Sequence, residues 1–335
     1  STWKPIFGGV GSASIGAFAV APSDPRVLWV GTGQIHQRWD IVSGDGIHRS
    51  TDGGATWRHV GLADSRHIGD LWVDPRDADV AIVAALGHVF GPNEERGLFR
   101  TEDGGATWTR VLFRDADTGA CDVAGDPATP DTLYASLWQV RRYPWLDYFE
   151  PATGPGSGIW KSTDGGAAWS RLAGFPAQET VNAVAVHPTD SRTVLAAGFT
   201  ALWRSTDGGS TWRKVLDQGV QQPATTGFAF DPTAPATVYA SADNDGFPTG
   251  VFKSTDSGAT WKPANQGINP NSRVRGVAVS RDGKVVFAAS EDGVYLSPDG
   301  GASWAVALPK KSVHSVATGA GGLVLAGTDG DGVFR

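Results

Sequence analysis

Six near-copies of the phrase Ser-Thr-Asp-Gly-Gly-Ala-Thr-Trp punctuate this chain. The first runs from Ser50 to Trp57, and the others fall at residues 103–108, 164–169, 207–212, 256–261 and 299–304. Recurrence at intervals of roughly 40–60 residues is the signature of stacked repeats, none of which can bury its apolar face alone. Ahead of each box stands a glycine (an alanine, Ala201, before the fourth), an apolar residue and a bulky one, and a basic residue follows in Gly97-Leu98-Phe99-Arg100, Gly158-Ile159-Trp160-Lys161 and Gly250-Val251-Phe252-Lys253. That alternation suits a half-buried strand. Within the box, Asp accepts hydrogen bonds from nearby backbone N–H groups and Gly takes positive φ, so the box predicts a hairpin turn. The Trp opens the next strand, where burial removes about 150–250 Å² from water. The box is therefore read as a structural staple.

Two further strands precede each hairpin. Residues 15–20, 68–73, 181–186 and 274–279 give the first set, and 27–30, 80–84, 193–197 and 285–288 the second. Four short antiparallel strands per repeat predict an all-β propeller. The strand before the box occurs seven times, the last as Gly332-Val333-Phe334-Arg335, against six full boxes. The opening Ser1-Thr2-Trp3 matches the box tail Ser210-Thr211-Trp212. Residues 2–7 are thus expected to supply the fourth strand of the last blade, after strands near 313–317, 323–327 and 332–335. The expectation is one seven-bladed domain over residues 1–335, closed on itself without an open sheet edge.

Composition agrees. A hydrophobic share of 40% excludes a disordered chain, and 45 Gly with 20 Pro fit many turns. No apolar run is long enough to span a membrane. A net charge of −7 argues against a general nucleic-acid binder, which wants a basic surface. The single cysteine, Cys121, permits no internal disulfide and sits in an inner-strand pattern, where a small buried filler is expected. The sequence contains no Met, so a processed or trimmed start is expected.

The boxes resemble the Asp-box (BNR) repeats of sialidases, xyloglucanases, sortilin-type receptors and photosystem assembly factors. Gly44-Asp45-Gly46, residues 64–69, residues 91–97 and Trp138-Gln139-Val140-Arg141-Arg142 resemble bacterial propeller proteins labelled glycosyl hydrolases or sortilin-like. This resemblance implies export, to the periplasm or outside the cell. The Arg-Ile-Pro signature of sialidases is absent. Trp3-Lys4 and Gly8-Gly9-Val10-Gly11 resemble a xyloglucanase domain. Such enzymes set two carboxylates across a cleft between two propellers, which implies a partner domain or protein on the working face here. No HExxH spacing occurs. Asp245-Gly246 and residues 329–332 lack the Glu-terminated loop of a calcium EF-hand. No metal or cofactor is expected.

Insertions locate the expected working face. They swell the connections between second and third strands at residues 34–45, 88–96, 139–157 and 244–249. In a four-stranded meander these lie opposite the boxes, and long loops on a rigid scaffold carry function. Trp39, Trp138 and Trp145, with Tyr143, Tyr148 and Phe149, can stack on sugar rings or peptide side chains, or anchor their own loop. Asp40, Asp64, Glu94 and Glu95 are candidate carboxylates for glycoside hydrolysis. His67 is the candidate base of a lyase, with His36, His88 and His314 on the same face. His36, Arg38, Trp39, Arg66, His88, Arg96, Trp138, Arg141, Arg142 and Trp145 are the expected ligand contacts. The leading expectation is a carbohydrate-binding face that also cleaves polysaccharide. A non-catalytic peptide-binding platform comes second and a histidine-dependent polysaccharide lyase third.

Overall fold

The computed structural model describes all residues except 1–2, 9, 11–13, 34, 36–40, 142–153, 177–178, 199–200, 218–224 and 244–249. Seven antiparallel sheets follow one another along the chain, six with four strands and the last with three. Each sheet is a meander, strand pairing with its successor. The inner strands are Ile15–Val20, Ile68–Val73, Thr118–Gly125, Val181–Val186, Thr225–Phe230, Val274–Val279 and Val313–Thr318. Each packs beside the next, and the first packs beside the last, which makes a ring. Among the described residues helix is limited to two short 3₁₀ turns, and none is long and apolar enough to cross a membrane.

The four inner strands foreseen from sequence have the expected bounds. The second strands start one residue late, as in Leu28–Thr32 and Ala81–Ala85. These strands are buried along their whole length because neighbouring blades cover both sides. Their alternate residues feed separate inter-blade clusters: Ala81, Val83 and Ala85 face one neighbour, Ile82 and Ala84 the other.

The boxes are hydrogen-bonded turns built alike. In the first, Asp52 accepts from Ser50 Oγ at 2.7 Å, Thr56 N at 2.9 Å and Thr56 Oγ1 at 2.6 Å, while Gly54 N donates to Ser50 Oγ at 2.9 Å. Those donors hold the Asp52 carboxyl down at about 2. The Trp indole then ties the turn to backbone: Trp57 donates to Ile6 O at 2.7 Å and Trp108 to Val60 O at 2.7 Å. Trp3 does the same toward Ala307 O at 3.1 Å. Lys4 and Arg335 exchange backbone hydrogen bonds at 2.8 Å each, and Ile6 N donates to Val333 O at 2.8 Å.

Every inner strand but one loses register at its second residue, as between Ile68 and Asp70 or Val274 and Gly276. In the third blade the slip falls at Cys121. Gly16, Gly69, Cys121, Asn182, Thr226, Arg275 and His314 thus occupy one level around the axis. Ala17, Asp70, Asp122, Ala183, Gly227, Gly276 and Ser315 occupy the next.

Candidate functional site

On the face opposite the boxes, the link from blade one to blade two and the inserted loop of blade two meet. The link makes a 3₁₀ turn, Ala63–Ser65, between Leu62 (φ 55°) and Arg66 (φ 60°). Left-handed backbone at a non-glycine residue is unfavourable and concentrates at functional sites. The turn presents Asp64, whose carboxylate is 62% exposed. His88 Nε2 lies 2.7 Å from the Asp64 carbonyl and 3.1 Å from its Oδ1. A carbonyl can only accept, so Nε2 carries the proton. Asn93 Nδ2 donates to Asp64 Oδ2 at 3.3 Å, and Arg66 Nη2 stands 3.8 Å from Oδ1. Glu95 is half-buried beside them. Burial, and then the Asp64 charge, push its carboxyl above the usual range, against the pull of the Ser65 and Asp64 N–H groups. Asp64, Arg66, His88 and Glu95, all foreseen from sequence, therefore form one cluster.

Other expected residues lie elsewhere. Arg96 is fully buried. Its guanidinium donates to the carbonyls of Asp117 at 3.0 Å, Val140 at 3.1 Å, Gly91 at 3.2 Å and His88. Desolvation lowers it to about 10. It clamps three loops together and is out of a ligand's reach. Trp138 is also buried, packed with Leu86, Val89, Cys121 and Val140, and offers no open stacking platform. His67 is buried at the start of its inner strand. Glu94 points to the outer rim, where Arg110 donates to its carbonyl at 2.6 Å. Arg141 pairs with Asp117 at 2.7 Å. His36, Arg38, Trp39, Asp40, Arg142 and Trp145 lie outside the described residues, as do Tyr143, Tyr148 and Phe149.

Sequence reasoning missed the axis. A channel of about 440 Å³ runs between the inner strands and is lined by Asp70, Asp122, Asn182, Arg275 and His314, among others. The Asp70 and Asp122 carboxyls hydrogen-bond to each other. Asp70 also accepts from Val123 N at 3.3 Å, and Asp122 from Val184 N. Burial and the neighbouring Asp70 charge push Asp122 well above the carboxylate range, so the pair holds a proton between them. Each carboxyl also satisfies an N–H on the next blade's inner strand. Across the ring, Arg275 joins Ser312 at 2.9 Å, His314 at 3.3 Å, Asp243 at 3.4 Å and Glu291 at 3.5 Å. The available signal was an Asp at the level where other blades carry Ala, Gly or Ser. Among the described residues no set of three His, Cys, Asp or Glu side chains could hold a metal ion.

Comparison with known proteins adds three kinds of likeness. Residues 157–288 match the family model described as Sortilin-Vps10 (sortilin, neurotensin receptor 3). A xyloglucanase from a Paenibacillus species is 31% identical over 195 residues, which is 52% of this chain and 18% of that protein. The chain therefore spans less than a fifth of that relative's length. The crystal structure of an ancestral GH74 enzyme superimposes with a TM-score of 0.74 at 17% identity, covering 98% of this chain and 45% of the other. YCF48 bound to D1 peptide superimposes at 0.64 with 15% identity, covering 100% and 96%. The two superpositions speak to fold alone. This chain is an Asp-box β-propeller, sortilin-like and glycoside-hydrolase-like in its resemblances.

Proposed function

We propose that this propeller binds a polysaccharide across the loop-rich face of blades one to three, with Asp64 at the centre of the contact. The observation that carries the reading is the convergence of Asp64, Arg66, His88 and Glu95 from two loops. Exposed Asp64 and Arg66 offer an acceptor and a fan of donors suited to sugar hydroxyls. The same cluster supports cleavage. Burial holds the Glu95 carboxyl above the usual carboxylate range, which suits a general acid, and Asp64 stands beside it as the second carboxylate. The xyloglucanase likeness supports the same substrate class. A polymer of that size is met outside the cytoplasm, so we place the protein in the periplasm or beyond it. We also place a partner domain or protein on this face, to complete the cleft.

A peptide-binding platform is the second reading. It is favoured by the near-complete mutual coverage with YCF48, itself solved with a bound peptide. A glycan array, followed by reducing-end and unsaturated-product assays, separates the readings. We expect xyloglucan-type oligosaccharides to bind, Asp64→Asn to weaken binding at least tenfold, and Glu95→Gln to remove any reducing-end product while binding persists. Unsaturated product would instead favour a lyase. Peptide binding without glycan binding would overturn the carbohydrate reading.

A further inference from the structure

The inserted loop of blade two turns an aromatic side chain outward beside Asp64. Phe90 is 54% exposed, and among the described residues Val306 is the one other large apolar side chain so open to solvent. Val306 lies on the outer strand of blade six, Ala305–Pro309. Phe90 instead lies between two residues that both hold Asp64. His88 Nε2 stands 2.7 Å from the Asp64 carbonyl, and Asn93 Nδ2 donates to Asp64 Oδ2 at 3.3 Å. Two residues of chain span at most about 7.6 Å between Cα atoms, so Phe90 stands on the rim of the cluster.

The loop gives Phe90 no way to fold down. Arg96, fully buried, donates to the carbonyls of His88 and, at 3.2 Å, of Gly91, one on each side of Val89-Phe90. A desolvated guanidinium has to keep its acceptors. Those two carbonyls therefore point inward, and the residues between them form a tight turn. Val89 takes the inward place, in the buried cluster of Leu86, Trp138 and Val140. Its neighbour Phe90 is left outside. Asn93 N donates to Ala116 O at 3.0 Å and pins the far side of the loop. A methyl group on Gly91 would meet nothing within 4 Å, so the space at the tip is open. A lone apolar side chain on a surface is ordinary. Here a buried cation holds the ring outward, next to an exposed carboxylate and the half-exposed Arg66.

We propose that Phe90 is the stacking platform for a sugar ring adjoining the one held at Asp64, and that it selects glycans whose backbone rings present a flat C–H face. This rests on the carbohydrate reading of the same face. An aromatic ring offers a flat apolar surface with a negative π face. A pyranose whose substituents are all equatorial lays its axial C–H bonds on such a face. Its hydroxyls then point sideways, toward Asp64 and Arg66. An axial hydroxyl would stand between the two rings and hold them apart. Asp64 thus reads hydroxyls, and Phe90 reads the shape of the ring.

The test is calorimetric titration of the full chain and its variants with a xyloglucan oligosaccharide, together with a glycan array. Phe90→Ala should weaken binding at least tenfold and leave Tm nearly unchanged, because the side chain is exposed. Phe90→Leu keeps apolar bulk without a flat ring and should stay close to Phe90→Ala. Phe90→Trp should match the native chain or exceed it. On the array, β-1,4-linked glucan and xylan backbones should outrank mannan and galactan, and Phe90→Ala should level that ranking. Native affinity in Phe90→Ala, with Asp64→Asn weakened, would overturn this inference and leave the carbohydrate reading standing. So would native affinity in Phe90→Leu, or an array ranking that Phe90→Ala leaves in place. A native chain that binds no glycan would overturn the carbohydrate reading and the platform with it.

Discussion

Two adjacent glycines of one box offer a matched measurement of how the boxes hold the blades. Gly165 and Gly166 have φ of +70° and +83°. A methyl group on Gly165 would meet only Asp131 Oδ1, at 3.7 Å, whereas one on Gly166 would stand 2.3 Å from Ile82 Cδ1. Gly165→Ala therefore adds left-handed strain alone, about 1–2 kcal/mol. Gly166→Ala adds similar strain plus overpacking against a fully buried core residue, a further ~1–3 kcal/mol. With an unfolding entropy of about 2.1 cal/mol/K per residue over 335 residues, the extra term lowers Tm by about 1.5–4 °C beyond the Gly165 variant. Urea unfolding and calorimetry of the two variants read the difference directly. Equal losses would refute the reasoning, because they would mean that the second glycine is not the point where a box bears on the blade behind it.

Three further outcomes follow from the same contacts. Trp138→Ala should cost about 3–5 kcal/mol in denaturant unfolding, since the side chain is buried against Leu86, Val89 and Val140; an unchanged midpoint would return Trp138 to the ligand surface. The raised Asp122 carboxyl binds a proton more tightly in the folded state than in the unfolded one, so its contribution is present at acid pH and is lost as pH climbs through the folded value. Asp122→Asn keeps an acceptor for Val184 N and offers a donor to Asp70, so the slope of Tm against pH above about 4 should flatten. The box carboxyls behave oppositely: Asp52, Asp103, Asp207 and Asp299 are held down at about 2, so their stabilisation is complete above the ordinary carboxylate range and fades as pH falls toward that value. An acid titration with Asp52→Asn should show a shallower loss of stability over that window.

The architecture was legible because its signal is repeated. One box says little, but six, each preceded by the same short strand, set the number and order of sheets, and Ile68–Val73 could be bounded from its alternation alone. The candidate site was legible only where chemistry sits on the connections opposite the boxes, an inter-blade link and an inserted loop. Asp64, Arg66, His88 and Glu95 were all named as candidates and lie together, but nothing in the sequence told an outward side chain from an inward one. Arg96 lies next to Glu95 yet turns inward to four carbonyls, and Trp138 is buried against Leu86, Val89, Cys121 and Val140. Asp70 and Asp122 escaped notice for another reason. Each is a single acid in an apolar strand, and only closure of the ring sets the two side by side. Position around the axis is a tertiary fact that local pattern does not carry.

The central functional claim is best tested by footprinting a bound xyloglucan oligosaccharide on the protein with backbone hydrogen exchange. The account predicts protection at residues 62–67 and 88–96, lost in Asp64→Asn, with the box turns unchanged. Protection confined to the box turns, or to blades four to seven, would contradict it.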